Sequence, residues 1–437
     1  MKLAKLSLAA IVVAGLATSS FAADTLADAF KNGKVNGELR AWYWDRDTGD
    51  SNTPAIAKKG DADIFNAGLI LSYVTDSLYG FKLGATMQSN YAPFADEEAK
   101  NLYIADEYGS GAVLSEAYIA YGIGKTNVTV GRQFISTPLV SGSGSRMIKQ
   151  SFEGAVLVNT DLPATTLVAG YVSKYQGRTD GNGNVGEFLK TADFQGVSAA
   201  QTFDGAYTAA AINKSISNLT LTAQYAAVAD VGGTVDRDVT VYHVEANYVL
   251  PMNGFKLGFD AAYRASSTDA TLAADGANLE GNYLVGRIGV SELAGFGLSF
   301  AYGQSDKSDD LIAGIGAGAD NLYTNTIIRG GGPAYQANTD AYLFNATYDF
   351  AKVGVAGLKA GAQYAVYKQD KITEATLSRA INQEIDYTTY GVNASYAFAG
   401  ALKGLTATVV YETQEKEVGT APGVDTDEVR FMANYKF

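Results

Sequence analysis

Cysteine and histidine, which carry much of the chemistry of enzymes, are almost missing from this sequence. Cysteine is absent, and His243 is the one histidine among 437 residues. Thiolate nucleophiles, zinc sites built from cysteine and histidine, and histidine-based triads therefore lack their residues. His243 alternates with Val241 and Glu245 along a predicted strand, which favours a polar wall residue over a catalyst. The sequence predicts no enzyme activity.

One group of carboxylates could bind a metal ion. Asp96, Glu97 and Glu98 are consecutive in a segment predicted to be an external loop, and oxygen-rich groups of this kind suit Ca²⁺. Their spacing does not match an EF-hand loop, and exposed surface charge is the simpler interpretation. We therefore expect no cofactor, with Ca²⁺ at these loop carboxylates as the one candidate.

A second set of charged residues falls on single faces of predicted strands. Glu38 and Arg40 share a face of the first strand, and Arg430 lies on the last strand, which pairs with the first in a closed barrel. Charges on the inner wall of a narrow passage select ions by their field. Ordinary solvated wall residues are the competing interpretation of each. The residues that the sequence places around the passage are Arg40, Arg146, Arg430, Glu38, Glu153, Arg264 and Arg287.

The elements that must position these charges are β-strands. Gly (48), Tyr (28) and Phe (19) are plentiful and Pro (7) is scarce, a mixture that suits strands with aromatic faces. Apolar and polar residues alternate, and turn residues punctuate the alternation. The pattern predicts eighteen strands, or sixteen to eighteen given soft boundaries. They lie near 35–45, 62–75, 81–90, 112–123, 126–134, 151–159, 164–175, 205–213, 219–229, 239–250, 255–266, 281–291, 296–304, 339–350, 358–368, 385–398, 405–415 and 427–437.

The connections between these strands alternate between short and long. The pairs 124–125 and 294–295 are tight turns, whereas 135–150 and 305–338 are long loops. Outer-membrane barrels have this asymmetry, with short periplasmic turns and long external loops. The predicted fold is therefore an all-β, transmembrane, antiparallel up-and-down β-barrel, with a soluble β-sandwich as the competing fold. Loop 135–150 is rich in Gly and Ser and is expected to fold into the lumen, where Arg146 narrows the path.

The N-terminus and the overall charge limit location and partners. Two lysines precede an apolar stretch at 6–17, and the small-x-small pattern at 20–22 is typical of a secretory cleavage site; an anchor helix is the alternative. The formal net charge of −13 argues against nucleic acid as a partner. We expect a signal peptide at 1–22, a short periplasmic segment with a helix capped by Thr25 at 23–34, and the barrel at 35–437.

Three stretches carry a resemblance to a known family. Residues 37–43, 131–146 and 427–437 resemble the opening strand, the fifth strand with its constriction loop, and the closing strand of the OprD-like outer-membrane porins. Residues 1–8 and 25–33 are similar to the major outer membrane porin group of campylobacter-type bacteria. The resemblance implies an 18-stranded, commonly trimeric barrel that passes small polar solutes, with Arg40, Arg146 and Arg430 as pore-lining basic residues.

The sequence thus predicts a porin of the bacterial outer membrane, a passive channel for small hydrophilic solutes and ions with a charged constriction. Its expected partners are outer-membrane lipid, lipopolysaccharide, the solutes, and two further copies of itself. The alternative is a surface structural or adhesive barrel with an occluded lumen, whose long loops, such as 305–338, bind a partner.

Overall fold

Eighteen long strands form one closed antiparallel sheet in the computed structural model of the chain. The structure describes residues 23–49, 61–196, 200–233, 237–268, 279–320, 322–372 and 382–437, so the predicted signal peptide lies outside the described residues. Within them, no helix is long and apolar enough to cross a membrane.

The strands follow the alternation of the sequence, and each begins and ends within three residues of its predicted bounds. They are β1 (Lys34–Thr48), β2 (Ala62–Val74), β3 (Phe81–Tyr91), β4 (Gly111–Ile123), β5 (Thr126–Gln133), β6 (Ser151–Asn159), β7 (Thr165–Gln176), β8 (Gly205–Asn213), β9 (Leu219–Ala229), β10 (Val239–Met252), β11 (Phe255–Thr268), β12 (Asn282–Leu293), β13 (Phe296–Ser305), β14 (Thr339–Asp349), β15 (Leu358–Gln369), β16 (Ile385–Ala397), β17 (Leu405–Val418) and β18 (Val424–Lys436).

Each strand pairs with its neighbours in the chain, and β1 also pairs with β18. The closing register places Glu38 opposite Lys436 and Trp44 opposite Arg430. Because the first and last strands pair, the eighteen-stranded sheet has no unpaired edge. A sheet that spans a membrane must be closed in this way, since lipid offers no partners for free backbone groups. The predicted all-β up-and-down barrel of eighteen strands is confirmed.

The two faces of the sheet differ in the way that a lipid environment requires. On β14, Phe344 points outward with 54% of its surface exposed, and its ring lies 4.6 Å from that of Phe300 on β13. The next residue, Asn345, faces the lumen beside Ser299 of β13 and Gln363 of β15. Alternation of this kind puts apolar side chains against lipid and polar ones against water.

Short turns and long loops lie at opposite ends of the barrel, as predicted. The turn between β2 and β3 contains Gly80 with φ +87°, where a Cβ atom would lie 2.5 Å from the carbonyl oxygen of Gly122. Before β1, helix α1 (Leu26–Lys31) begins after Thr25, whose Oγ1 accepts a hydrogen bond from the Asp28 amide at 3.1 Å. Helix α2 (Glu97–Tyr103) lies in the long loop between β3 and β4.

Two of the long loops, as far as the structure describes them, fold into the barrel and pack against its inner wall. Leu139 in loop 134–150 and Ile312 in loop 306–338 are fully buried, and they pack with Phe152 of β6 and Val241 of β10. The two loops also bond to each other, since the Ile315 amide donates to the Leu139 carbonyl at 2.9 Å. Loop 135–150 therefore folds inward as predicted. Loop 305–338, a candidate external docking loop in the adhesive alternative, also packs inside the wall.

The orientation of β14 can be tested with two adjacent substitutions. We expect Phe344→Arg to lower the free energy of unfolding from lipid vesicles by about 2–4 kcal/mol, because it places a charge on the lipid-facing surface. Asn345→Arg is the matched control on the lumen face and should change it far less. A larger loss for Asn345→Arg than for Phe344→Arg would contradict the assignment of the faces.

Candidate pore constriction

Arginine side chains from β1, β18 and three inward loops converge at the closing seam of the barrel. They come from both strands of the seam, from the loops after β5 and β7, and from the loop after β13. Their counter-charges are Asp106, Glu107, Glu412 and Glu428. We refer to Arg46, Arg146, Arg178, Arg329 and Arg430 as the arginine group.

Trp44 is the platform on which two of these arginines stack. Its side chain is fully buried in the lumen face of β1, and Trp44 and Arg430 are directly opposed across the seam. The guanidinium carbon of Arg430 lies 3.7 Å from the Trp44 ring centroid, and that of Arg146 lies 4.8 Å from it. An indole face attracts a guanidinium through its quadrupole. The ring therefore brings two like charges together.

Two acidic residues offset the repulsion between the arginines. Glu428 accepts hydrogen bonds from Arg46 Nε at 2.8 Å and from its strand neighbour Arg430 at 2.7 Å, and Arg329 Nη2 lies 3.2 Å from it. Asp106 accepts from Arg146 Nε at 3.0 Å. Burial disfavours the charged form of Asp106, but the surrounding arginines outweigh it and lower its pKa.

Glu412 on β17 fixes the position of Arg329. Its carboxylate is fully buried and accepts the backbone amides of Ile328 at 3.0 Å and Arg329 at 2.8 Å. Thr326 Oγ1 and Gln363 Nε2 donate to it as well, at 3.2 and 2.8 Å. A carboxylate that accepts this many hydrogen bonds holds the turn rigidly. Loop 306–338 is thereby fastened to the wall where it presents Arg329.

Glu107 is a buried carboxyl group of this site whose pKa lies near neutral pH. Only 1% of its surface is exposed, and its Oε2 lies 3.4 Å from the Met147 amide. Burial raises the pKa of Glu107 to about 8, although Arg146 acts in the opposite direction. Glu107 is therefore mostly uncharged at pH 7.

The predicted residues Arg40, Glu38, Arg146 and Arg430 do come together at this seam. Arg40 Nε donates to Glu38 at 2.9 Å, and its Nη1 donates to the carbonyl oxygens of Arg146 at 2.9 Å and Met147 at 3.2 Å. Arg40 thus ties the returning limb of loop 134–150 to β1. It supports the backbone at Arg146, and its own side chain is only 9% exposed.

The comparisons with known proteins agree with this architecture. The family model for "outer membrane porin, OprD family" matches residues 28–437. The chain belongs to the OprD family of outer membrane porins. Porins of this family are outer-membrane channels for small solutes, so the porin is located in the bacterial outer membrane and conducts small solutes across it.

Solved structures of Pseudomonas aeruginosa proteins share its fold at low sequence identity. OccK8 (OprE) is 17% identical with a TM-score of 0.73, over 94% of this chain and 99% of that one. OccK9 (OpdG) is 16% identical with a TM-score of 0.75, over 94% and 100%. OpdK, solved with vanillate, is 14% identical with a TM-score of 0.74, over 93% and 99%. No curated protein sequence matches the porin.

Arg264 and Arg287 lie far from the arginine group in the porin. Strands β11 and β12 lie almost on the opposite side of the ring from β1, and Arg287 on β12 pairs there with Asp260 at 2.7 Å.

Arg264 is on the inner face of β11, as predicted, but only 1% of its surface is exposed. Its guanidinium donates to loop carbonyl oxygens. The prediction that Arg264 lines the passage is therefore corrected: the inward loops cover it.

Glu153 faces the outside of the barrel, and its predicted place in the lumen is wrong. Phe152 packs into the apolar cluster inside the barrel, so the next side chain points away from it, on the face of the exposed Leu157. On that face Glu153 pairs with Arg132 at 3.2 Å and with Lys174 at 3.3 Å. These three residues form an ion cluster on the outer surface of the porin.

The carboxylates considered for Ca²⁺ have other partners in the porin. Asp96 caps α2 by accepting the Ala99 amide at 2.8 Å, and Glu97 pairs with Lys100 at 2.6 Å. Among the described residues, no group of three or more histidines and carboxylates is arranged to hold a metal ion. A Ca²⁺ ion at Asp96, Glu97 and Glu98 stays a prediction.

Seven charged residues of this site were not predicted from the sequence. Two of them share a strand face with residues that were predicted, since Arg46 follows Arg40 at an even spacing and Glu428 precedes Arg430 by two. Alternation alone could have found these two, and Glu412 by the same argument on β17. The loop residues follow no periodicity and carry no such signal. They are Asp106, Glu107, Arg178 and Arg329.

Ionisation of Glu107 should make the ion selectivity of the porin depend on pH. Above its pKa of about 8 the carboxyl carries a negative charge beside Arg146, and below it the group is neutral. In dilute salt, where screening is weak, one charge about 10 Å from a passing ion changes its energy by about 0.4 kcal/mol in water, or roughly twofold in relative permeability. We expect the reversal potential in a KCl gradient to move toward cation preference as pH rises through 8. Glu107→Gln should abolish this shift, and a shift that persists in Glu107→Gln would rule out Glu107 as its source.

Proposed function

We propose that the arginine group forms the constriction of this porin and that small hydrophilic solutes and ions diffuse past it, with anions favoured. The observation that carries the proposal is the convergence of five guanidinium groups at the seam, where the inward loops leave side chains of the group in contact with open space. The exposed fractions of the Arg46, Arg146 and Arg329 side chains are 14%, 12% and 19%.

The balance of charge at the seam supports anion preference. Five arginines face the carboxyl groups of Asp106, Glu107, Glu412 and Glu428, and Glu107 is mostly neutral at pH 7 because its pKa is about 8. A positive surplus in a narrow, low-dielectric passage concentrates anions. The net charge of −13 belongs to the whole chain, and salt screens charges farther away than about 10 Å. The local surplus should therefore set the sign of the selectivity.

Carboxylate solutes fit this proposal. A guanidinium binds a carboxylate through two parallel hydrogen bonds, and several guanidiniums at one level allow a solute to exchange partners as it moves. OpdK, one of the solved structures of the same fold, was solved with vanillate, which is a monocarboxylate. We extend this chemistry to the present porin as part of the proposal.

We further infer that the porin performs no catalysis and has an open lumen. The channel function of its family supports this inference, as does the position of His243, which is 2% exposed beside Arg264. Loop 305–338, which the adhesive alternative needs at the surface, packs inside the wall instead.

Four expectations from the sequence remain part of the proposal: the signal peptide at 1–22, the periplasmic segment at 23–34, contact with lipopolysaccharide, and a homotrimer. The resemblance to OprD-like porins supports the last of these. Chemical cross-linking of the folded porin in detergent should yield a trimer band, whereas a monomer at all cross-linker concentrations would contradict the homotrimer.

Removal of Arg146 tests the constriction directly. We expect Arg146→Ala to raise the single-channel conductance in a planar lipid bilayer, because a large side chain leaves the passage. In dilute salt it should also shift the anion-to-cation permeability ratio about twofold toward cations, which is the effect of one weakly screened charge at about 10 Å.

Lys190→Ala is the matched control, because it removes a positive charge whose side chain is 57% exposed in the loop after β7 and pairs with Asp204. Its conductance and reversal potential should equal those of the unmodified porin. If Arg146→Ala changed neither quantity, Arg146 would not stand at the constriction. If the unmodified, correctly folded porin did not conduct, the proposal would fail as a whole.

A further inference from the structure

One buried guanidinium joins both inward loops to the barrel wall. Arg264 of β11 donates from Nη1 to the carbonyl oxygens of Ala313 at 2.6 Å and Ala319 at 2.7 Å, both in loop 306–338. It donates from Nη2 to the carbonyl oxygen of Pro138 at 3.1 Å, in loop 134–150. The side chain thus holds three points of two loops that are far apart in sequence.

The chemistry of this contact suits arginine and no other residue. A guanidinium has five N–H groups fixed in one plane, so it can serve several acceptors in different directions at once. The Nε atom faces His243 Nδ1 at 3.4 Å, which places the imidazole of β10 behind the guanidinium as an acceptor. None of the ion pairs among the described residues includes Arg264. Its buried charge is therefore stabilised by the loop carbonyl groups that it contacts, and the carboxylates of Glu245 and Asp320 act on it from beyond ion-pair distance.

The two loops also bond to each other beside the residues that Arg264 binds. The Ile315 amide donates to the Leu139 carbonyl at 2.9 Å, and the Ser141 amide donates to the Ile315 carbonyl at 3.0 Å. Gly314 makes the approach possible, because at φ +144° a Cβ atom would lie 2.6 Å from the carbonyl oxygen of Leu139. Neither loop can shift away from Arg264 without disturbing the other.

The same loops carry Arg146 and Arg329 to the opposite side of the lumen. Arg146 follows Pro138 by eight residues, and Arg329 follows Ala319 by ten. Each loop is also fastened at its far side, by Arg40 to β1 and by Glu412 to β17. A loop that is hydrogen-bonded to the wall on both sides of the lumen cannot rotate about either contact. Both sets of contacts therefore determine the position of the arginine that the loop carries.

We propose that Arg264 is a positioning residue of the channel, which clamps both inward loops to β11 and thereby fixes the places of Arg146 and Arg329 in the passage. The inference rests on the proposed constriction. Its consequence is a single stable aperture, because the two loops move as one unit. Apolar packing of Leu139 and Ile312 is the competing explanation of the loop positions, and it predicts that Arg264 is dispensable.

The absence of cysteine from the sequence allows a direct distance measurement. Spin labels on Ser145→Cys and Ile327→Cys, both exposed residues of the two loops, report the distance between the loops within one subunit when labelled porin is refolded with an excess of unlabelled porin. Arg264→Met keeps a long apolar side chain and removes the donors. We expect the doubly labelled porin with Arg264 intact to give one narrow distance distribution. In Arg264→Met this distribution should broaden, and the single-channel current should lose its one dominant level.

Lys256→Met is the control on the same strand, where an exposed lysine pairs with Glu292 at 2.7 Å, and it should leave both measurements unchanged.

The outcomes distinguish the proposed positioning role of Arg264, called the clamp below, from the proposed constriction. An unchanged distance distribution in Arg264→Met overturns the clamp, whatever the current does. A broadened distribution with unchanged conductance and reversal potential supports the clamp and contradicts the proposed constriction. If Arg264→Met does not fold, Arg264→Lys decides in its place, because one ammonium group cannot serve three carbonyl groups in the same geometry. A broadened distribution in Arg264→Lys supports the clamp, and a narrow one overturns it.

Discussion

The pairing of β1 with β18 is the interaction on which the rest of the structure depends. In lipid, every backbone amide and carbonyl group of a sheet needs a partner, and only closure provides one for the first and last strands. The same register puts Trp44 opposite Arg430 and Arg46 opposite Glu428. The strand pairing that closes the barrel therefore also brings together the charged residues at the seam.

A closed ring of eighteen strands encloses more space than a selective passage can have. The inward loops narrow that space. Apolar packing is non-directional, so polar contacts to the wall fix the orientation of these loops. Gln224 of β9 accepts the Leu139 amide at 3.0 Å, Arg264 binds three carbonyl groups, and Glu412 binds two amides. Each contact satisfies backbone groups that the loops bury, so the loops cross the lumen without leaving buried backbone groups unpaired at these points.

The strands could be predicted from the sequence because alternation and turn residues act locally. The grouping of Arg40 and Arg430 could also be predicted, since barrel closure brings the first and last strands together wherever the loops lie. Glu153 was assigned to the wrong face because a period of two fixes which residues share a face and does not say which face is inside. The exposed Leu157 and buried Phe152 supply that missing reference. Arg178, Arg329 and Glu107 were beyond sequence reasoning, because their places depend on contacts such as that between Glu412 and the Arg329 amide.

The proposed exposure of Arg329, in loop 306–338, to the path of the solute can be tested by the accessibility of this position to a thiol reagent. Arg329→Cys introduces one cysteine into a chain that has none. Modification by a negatively charged thiosulfonate reagent during single-channel recording should then reduce the current in one discrete step per subunit and lower the preference for anions. A current that stays constant, while mass spectrometry shows complete modification of the cysteine, would place Arg329 outside the path and contradict the account.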